Sequence, residues 1–341
     1  MKANRTIALA AVLLALGAGA AWAGSENRVG TGGLHELRLP VGARSTALAG
    51  ADIGSVSGAE ALFYNPSGIA GTDRGTELMF SNTSYIAGTD VNFVGVTQSL
   101  GDLGMIGISA KVFSVGEIER TTETSPDGTG EFFSPTTTVI GLGYGKRMTD
   151  RVNFGGAFYF ASERILQETA SGVSFDFGFQ YDTGYRGLKL GMAMKNFGPN
   201  SEFSGADFER NIRYDEDDPQ SGNRTVTNNS SLFELPSLFQ LGLSMPLVQG
   251  PTNLNAHALF QSNSFGRDEG RFGMELAVRN LAALRAGYVY NGDDESLFGL
   301  SYGVGVNVPL GSTRLAIDYA GQTINDGIFD DIQHVAVSLL F

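Results

Sequence analysis

The 341-residue sequence predicts an all-β fold: a closed antiparallel transmembrane barrel of about fourteen strands, filled by an amino-terminal plug. Three observations predict it. Apolar residues alternate with Gly, Ser, Asn or charged residues over segments of roughly ten residues, the length a tilted strand needs to cross a bilayer. The joins between these segments alternate between short and long. The chain also ends on an alternating run, His334 to Phe341, in which Val335, Val337, Leu339 and the terminal Phe341 share one face and His334, Ala336 and Ser338 the other. This aromatic-ended strand is read as the signal presented to the barrel-assembly machinery.

The amino end predicts export. Lys2 and Arg5 precede an apolar stretch from Ile7 to Leu16, followed by Ala21-Trp22-Ala23, the small-x-small pattern of a cleaved signal peptide. Cleavage near Ala23 gives three regions: 1–23 signal, 24–73 plug and 74–341 barrel. No later segment supplies about 18 consecutive apolar residues, so a bilayer crossing must use a closed barrel. Cleavage lowers Lys+Arg from 23 to 21 against 36 Asp+Glu and takes the formal net charge from −13 to −15. Such acidity argues against nucleic acid as a partner. The chain has no cysteine, hence no disulfide framework and no thiolate metal site. Its histidines, His35, His257 and His334, lack metal-ligand spacing, so no metal and no cofactor is expected.

Strands are expected near 75–85, 90–100, 103–114, 136–147, 151–162, 173–183, 187–197, 235–246, 252–261, 270–280, 282–291, 296–308, 312–321 and 331–341. The beat is clean in Phe298, Leu300, Tyr302, Val304, Val306 and Val308, which alternate with Gly299, Ser301, Gly303, Gly305 and Asn307. Gly141-Leu142-Gly143-Tyr144-Gly145-Lys146 has the same period. Its glycines are small interior positions of a strand, since a phosphate loop would open a helix. A soluble sandwich also alternates, but has no reason to sort its joins. Here Gly101-Asp102, Thr149-Asp150 and Gly184 to Arg186 are tight, whereas Val115 to Pro135, Ser162 to Gly172 and Gly198 to Glu234 are longer. Short turns on one rim and long loops on the other fit an outer-membrane barrel.

Fourteen strands at this spacing enclose a lumen roughly 28 Å across at the backbone, too wide for its own side chains to fill. The Gly/Ala-rich segment from Gly24 to Asp73 has the volume to plug it. Within it, Ala59 to Tyr64 can form a helical turn, Asn65 can end that turn in left-handed or turn geometry, Pro66 stops its continuation and Gly68 lets the chain bend towards the first strand. Lys111, Lys189, Lys195, Glu275, Arg279, Arg285, Arg314 and Asp318 fall on the interior face, where they either tie plug to wall or line a polar path.

The segment Leu39 to Gly71, LPVGARSTALAGADIGSVSGAEALFYNPSGIAG, resembles the amino-terminal signature of the PorV/PorQ family, within the superfamily of FadL-like outer-membrane proteins. The matching positions are Arg44, Ala47, Gly50, Ala51, Ala59, Ala61, Asn65, Pro66 and Gly68; Ser67 stands where the family has Ala. The sharp part spans about thirty residues, and the strand count and terminal Phe extend the likeness along the chain.

The resemblance implies an outer-membrane barrel serving type IX protein secretion as a shuttle, with secretion-system components and secreted cargo as partners. Phe132, Phe133, Phe203 and Phe208 on the long loops are the candidate anchors for such partners. The alternative is a FadL-like transporter of hydrophobic small molecules, with Arg44, Gly50, Ala51, Asn65, Pro66, Ser67 and Gly68 forming a hatch beside the ligand path. An enzyme is not expected, because no convergent nucleophile and base can be defended. The acidic run Asp215-Glu216-Asp217-Asp218 is either a solvated loop or a Ca²⁺-holding bridge to lipopolysaccharide.

Overall fold

The computed structural model describes residues 28–72, 75–213, 223–292, 297–325 and 328–341. The expected signal segment 1–23 and the acidic run at 215–218 lie outside the described residues.

Fourteen strands form the wall: β1 (Thr76–Ser84), β2 (Asp90–Ser99), β3 (Met105–Ser114), β4 (Thr136–Thr149), β5 (Val152–Ile165), β6 (Glu168–Asp182), β7 (Lys189–Phe197), β8 (Leu238–Val248), β9 (Thr252–Asn263), β10 (Glu269–Val278), β11 (Ala282–Tyr290), β12 (Phe298–Leu310), β13 (Thr313–Ile324) and β14 (Ile332–Leu340). Each pairs antiparallel with its neighbours in the chain. β14 returns to β1, from Glu77 opposite Leu340 to Ser84 opposite Gln333, so the ring has no free edge. Along β1, Leu78 and Phe80 point outward and Glu77, Met79, Ser81 and Thr83 inward, and every strand repeats this division in its own register. Val335, Val337 and Leu339 continue the outward row opposite Asn82, Phe80 and Leu78, and the Phe341 N–H donates to the Thr76 carbonyl at 2.9 Å. An apolar band of this kind is stable against lipid tails.

Every expected strand is found, and the main difference lies at one join. The expected long connection from Ser162 to Gly172 is strand: β5 and β6 continue until Ile165 faces Glu168 across a two-residue turn, with Leu166 at φ 56°. Beyond the apolar band the outward face need not be apolar, so Glu163, Arg164, Glu168 and Thr169 carry no alternation that reveals a strand. The two longest loops contain strands of their own, Ile118–Glu119 against Phe132–Phe133 and Glu209–Arg213 against Asn223–Thr227. Arg279, expected inside, is exposed at the short-turn rim, whereas Lys189, also accessible there, keeps the inward register of Gly191 and Ala193 and borders the lumen beside Gly54 and Ser55.

The core lies between the plug and the inner wall. Val41, Ala43, Ala47 and Ala59 of the plug pack on Met79, Phe93, Ala320 and Ala336, while Val56, Ala61, Leu62, Tyr64 and Ile69 pack with Met105. Inward glycines let the two backbones meet. A Cβ on Gly155 would lie 2.3 Å from the Pro66 carbonyl group, one on Gly178 2.0 Å from Asn65 Oδ1, and one on Gly287 2.5 Å from Ala49 N. The glycine beat of these strands is therefore a socket shaped to the plug.

Gly155→Val and Gly178→Val are expected to leave a barrel that still shifts on gels when boiled, while exposing the plug to limited proteolysis. Gly156→Val, where a Cβ would meet nothing closer than 3.7 Å, is the control and should keep the plug protected.

Candidate functional site: a plugged lumen and its chambers

The plug is a series of short turns: His35–Arg38, Arg44–Ala47, Gly58–Glu60, Ala61–Tyr64 and Pro66–Gly71. Arg44 opens the second turn and reaches the wall, donating to Glu275 at 3.2 and 3.4 Å. Glu275 also accepts from Arg285 at 2.7 Å, and Arg285 donates to Asp318 at 2.6 Å, so one alternating chain of charge spans β10, β11 and β13. Such charge-assisted bonds pin an element when their charges alternate in sign. Gly50, at φ +68°, closes the turn through its N–H to the Ser45 carbonyl at 2.7 Å; a Cβ there would press on Arg271 and Tyr64, both at 3.2 Å. Ala51 is fully buried against Ile53 and Leu259.

Asn65 departs from its expected geometry. It is extended, at φ −159° and ψ 105°, and caps the turn that follows, accepting from the Ser67 N–H at 3.2 Å and the Ser67 hydroxyl at 2.8 Å. Its amide donates to Ile53 in the plug at 2.9 Å and to Phe179 in β6 at 3.3 Å. Pro66 starts the next turn, where its missing N–H costs nothing. Gly68 serves contact rather than bending: a Cβ would sit 2.2 Å from the Val56 carbonyl oxygen. The hatch residues thus gather in one buried body, further tied to the wall by Gln180, whose amide donates to Ile53 and Val56, and by the Tyr159 hydroxyl donating to Leu62. The four loop phenylalanines are not part of it. Phe132 and Phe133 share the hairpin with Ile118, Phe203 packs its ring on Phe233 at 5.8 Å, and Phe208 ends a short turn beyond.

The plug separates two chambers. On the long-loop side a cavity of about 370 Å³ is bordered by Arg38, Tyr64, Tyr85, Lys195, Glu269 and Arg271. On the short-turn side one of about 410 Å³ is bordered by Arg44, Glu60, Glu77, Arg285, Arg314 and Asp318. Between plug and wall a pocket of about 20 Å³, room for one water, shares Phe63 and Lys195 with the first chamber and touches Asp176 and Asn196.

Beside that pocket the wall is irregular. Lys195 and Asn196 together stand opposite Asp176, a bulge with both side chains buried and Asn196 at φ 57°. On this side β6 has no ladder partner between Phe175, opposite Phe197, and Ala170, opposite Phe203. At the edge of this stretch Asn196 ties the strands on both sides, its N–H donating to Asp176 in β6 at 2.7 Å and its amide to the Pro236 carbonyl ahead of β8 at 3.1 Å. The sequence does carry this signal: Met192 and Met194 keep the beat, and the next outward residue is Phe197, one place late.

A 14-stranded antiparallel barrel closed on itself and plugged from its amino end defines the class of protein. The solved structures it resembles include the toluene transporter TbuX of Ralstonia pickettii, at a TM-score of 0.55 and 11% identity, covering 88% of this chain and 98% of that one. The toluene transporter TodX of Pseudomonas putida aligns at 0.54 and 13%, covering 89% and 97%. A FadL homologue of Pseudomonas aeruginosa aligns at 0.50 and 11%, covering 85% and 97%. At such identities the likeness is one of fold. No protein-family profile and no curated protein sequence matches the chain.

Two predictions follow from the hatch. Asn65→Ala removes donors and acceptors from a fully buried site and should destabilise the seated plug by about 1–3 kcal/mol, read as increased protease cleavage of residues 28–72. Burial, and then the charge of Asp52, pushes the Glu60 carboxyl up from 4.5 to about 8, against the pull of the Ser45 N–H and Arg44; Asp318 on the wall adds to the rise. The seated plug then holds a proton that the released plug gives up, so stability present below pH 4.5 is lost as pH rises towards 8. Protease protection of the plug should fall between pH 5 and pH 9 in the wild type, and stay flat over that range in Glu60→Gln.

Proposed function

We propose that this chain is an outer-membrane channel for small hydrophobic molecules, with the long loops outside the cell and the short turns in the periplasm. The observation that carries this reading is the position of the wall bulge. The chamber bordered by Tyr64 and Tyr85 ends at Phe63 and Lys195, and the interrupted stretch of ladder lies directly behind them. A cavity of this size holds one small molecule. The plug blocks the straight route through the lumen. A greasy molecule entering from outside leaves by the weakest part of its container, the side-chain-stitched seam at Asn196, into the surrounding lipid. The aromatic-lined chamber and the break in the wall are the two features that support this reading, and the structural neighbours described as toluene transporters support it too.

The type IX shuttle reading rests on the plug motif and on Phe132, which is 60% exposed on its hairpin and available to a protein partner. Pull-down from detergent-solubilised membranes would recover secreted proteins sharing a carboxy-terminal domain if this reading holds.

Deleting Asn196 should put Phe197 back in step with Met192 and Met194 and remove the bulge. In a Gram-negative host lacking its own hydrocarbon channels, wild-type expression should raise the uptake of labelled toluene, and the deletion should return it to the empty-vector level with the barrel still heat-modifiable. Equal uptake by both chains would remove the seam from the transport path.

A further inference from the structure

Two lysines flank the same ring. Lys111 Nζ lies 4.7 Å and Lys195 Nζ 3.8 Å from the centre of Phe63. Lys111 is saturated: its ammonium donates to the plug carbonyls of Glu36 at 2.8 Å, Leu37 at 3.2 Å and Leu39 at 3.3 Å. Lys195 is as deeply buried, at 4% exposed, yet among the described residues its ammonium makes neither a hydrogen bond nor an ion pair. Its counter-charge is Asp176, buried in the same small pocket but beyond ion-pair distance, so three ammonium donors remain without an acceptor, which is costly unless an oxyanion completes the site. The outer chamber bordered by Lys195 also receives Arg38 and Arg271, with Glu269 as its one carboxylate among the described residues. Arg271 donates to Glu269 at 2.9 and 2.6 Å, and Arg38 lies 3.9 Å from it, so two guanidiniums share one acid and leave cationic charge towards the chamber. This occurs in a chain whose formal net charge is −13.

We infer that Lys195 anchors the oxyanion of a small apolar ligand, and that the class of ligand is a single-ring aromatic carboxylate. The chamber volume of about 370 Å³ suits one ring with its substituent better than a long alkyl chain, and Tyr64 and Tyr85 offer aromatic surface around the cationic floor. The inference deepens the channel reading and rests on its assignment of the outer chamber to the ligand. Lys195 is the residue that separates a charged ring from a neutral one of the same shape.

Benzoate and toluene are the paired probes, with octanoate as the alkyl comparison, and binding to the purified full-length barrel in detergent is the measurement. Wild type should bind benzoate in preference to toluene and to octanoate. Lys195→Met should lower the benzoate-to-toluene affinity ratio by at least about tenfold, as expected when one member of a buried charge pair is lost, and Lys195→Arg should restore most of it. Arg279→Gln, on the short-turn rim, should leave the ratio unchanged. Benzoate binding that is absent, or insensitive to Lys195→Met, overturns the inference, and octanoate bound more tightly than benzoate overturns its single-ring class. Because binding is read without transport, benzoate bound in a barrel that moves no toluene leaves the anion site standing and removes the channel reading. Toluene uptake without benzoate binding does the reverse.

Discussion

The contact between plug and inner wall is the constraint on which the rest of the structure depends. A ring of fourteen strands whose greasy side faces outward has no core of its own, because its inner face is too wide to close on itself. Stable burial inside requires a second body, and the chain supplies it from residues before β1. The consequence runs through the composition of both partners. The wall gives up side chains at Gly155, Gly178, Gly191 and Gly287, and the plug is built around alanines, so that backbone meets backbone at contact distance. Close approach buries peptide groups, which must then be satisfied. This is why Lys111, Gln180, Tyr159 and Arg271 all donate across the gap to plug carbonyls.

The same requirement governs where charge is tolerated. Arg44, Glu275, Arg285 and Asp318 alternate in sign, and each borders the opposite charge, so a row of four ions along the short-turn chamber holds the plug. Lys111 meets the requirement with carbonyls alone. Lys195 has Asp176 in its pocket but, among the described residues, no hydrogen bond or ion pair, and it occupies the place where the wall gains an extra residue and loses its ladder. Departures from local rules collect at functional sites, and here an unsatisfied ammonium, a left-handed Asn196 and an interrupted strand pair coincide beside one chamber.

Much of this was legible in the sequence, for reasons that also explain the rest. Period-two alternation reports the difference between lipid and lumen, so β12, with Leu300, Tyr302, Val304 and Val306 outward, could be read with its facing. The signal stops where that difference stops, and so the upper parts of β5 and β6 looked like loop. The plug motif was legible as a compact hatch because Asn65 and Pro66 restrict the backbone. The role of Asn65 as a cap on Ser67 and a stitch to Phe179 was not, since it depends on a strand more than a hundred residues away. Lys195 was placed correctly on the interior face. Its lack of partners was invisible, because Lys111 carries the same residue type on the same face and is fully satisfied. Only the three-dimensional arrangement of acceptors distinguishes the two.

The relative strength of plug and seam decides where a passage can open. Freeing the plug breaks bonds from Arg44, Lys111, Gln180, Arg271 and Tyr159 together with the packing of two apolar clusters; at about 1 kcal/mol for each hydrogen bond, and more for the charged ones, the polar part alone rivals the stability of a small domain. At the bulge the bonds from Asn196, its N–H to Asp176 in β6 and its amide to Pro236, amount to roughly a few kcal/mol by the same measure. On the proposed channel reading, a molecule in the outer chamber therefore meets a floor tied by many bonds and, beside it, an irregular stretch of wall that the sequence marks with a single residue out of step, Asn196.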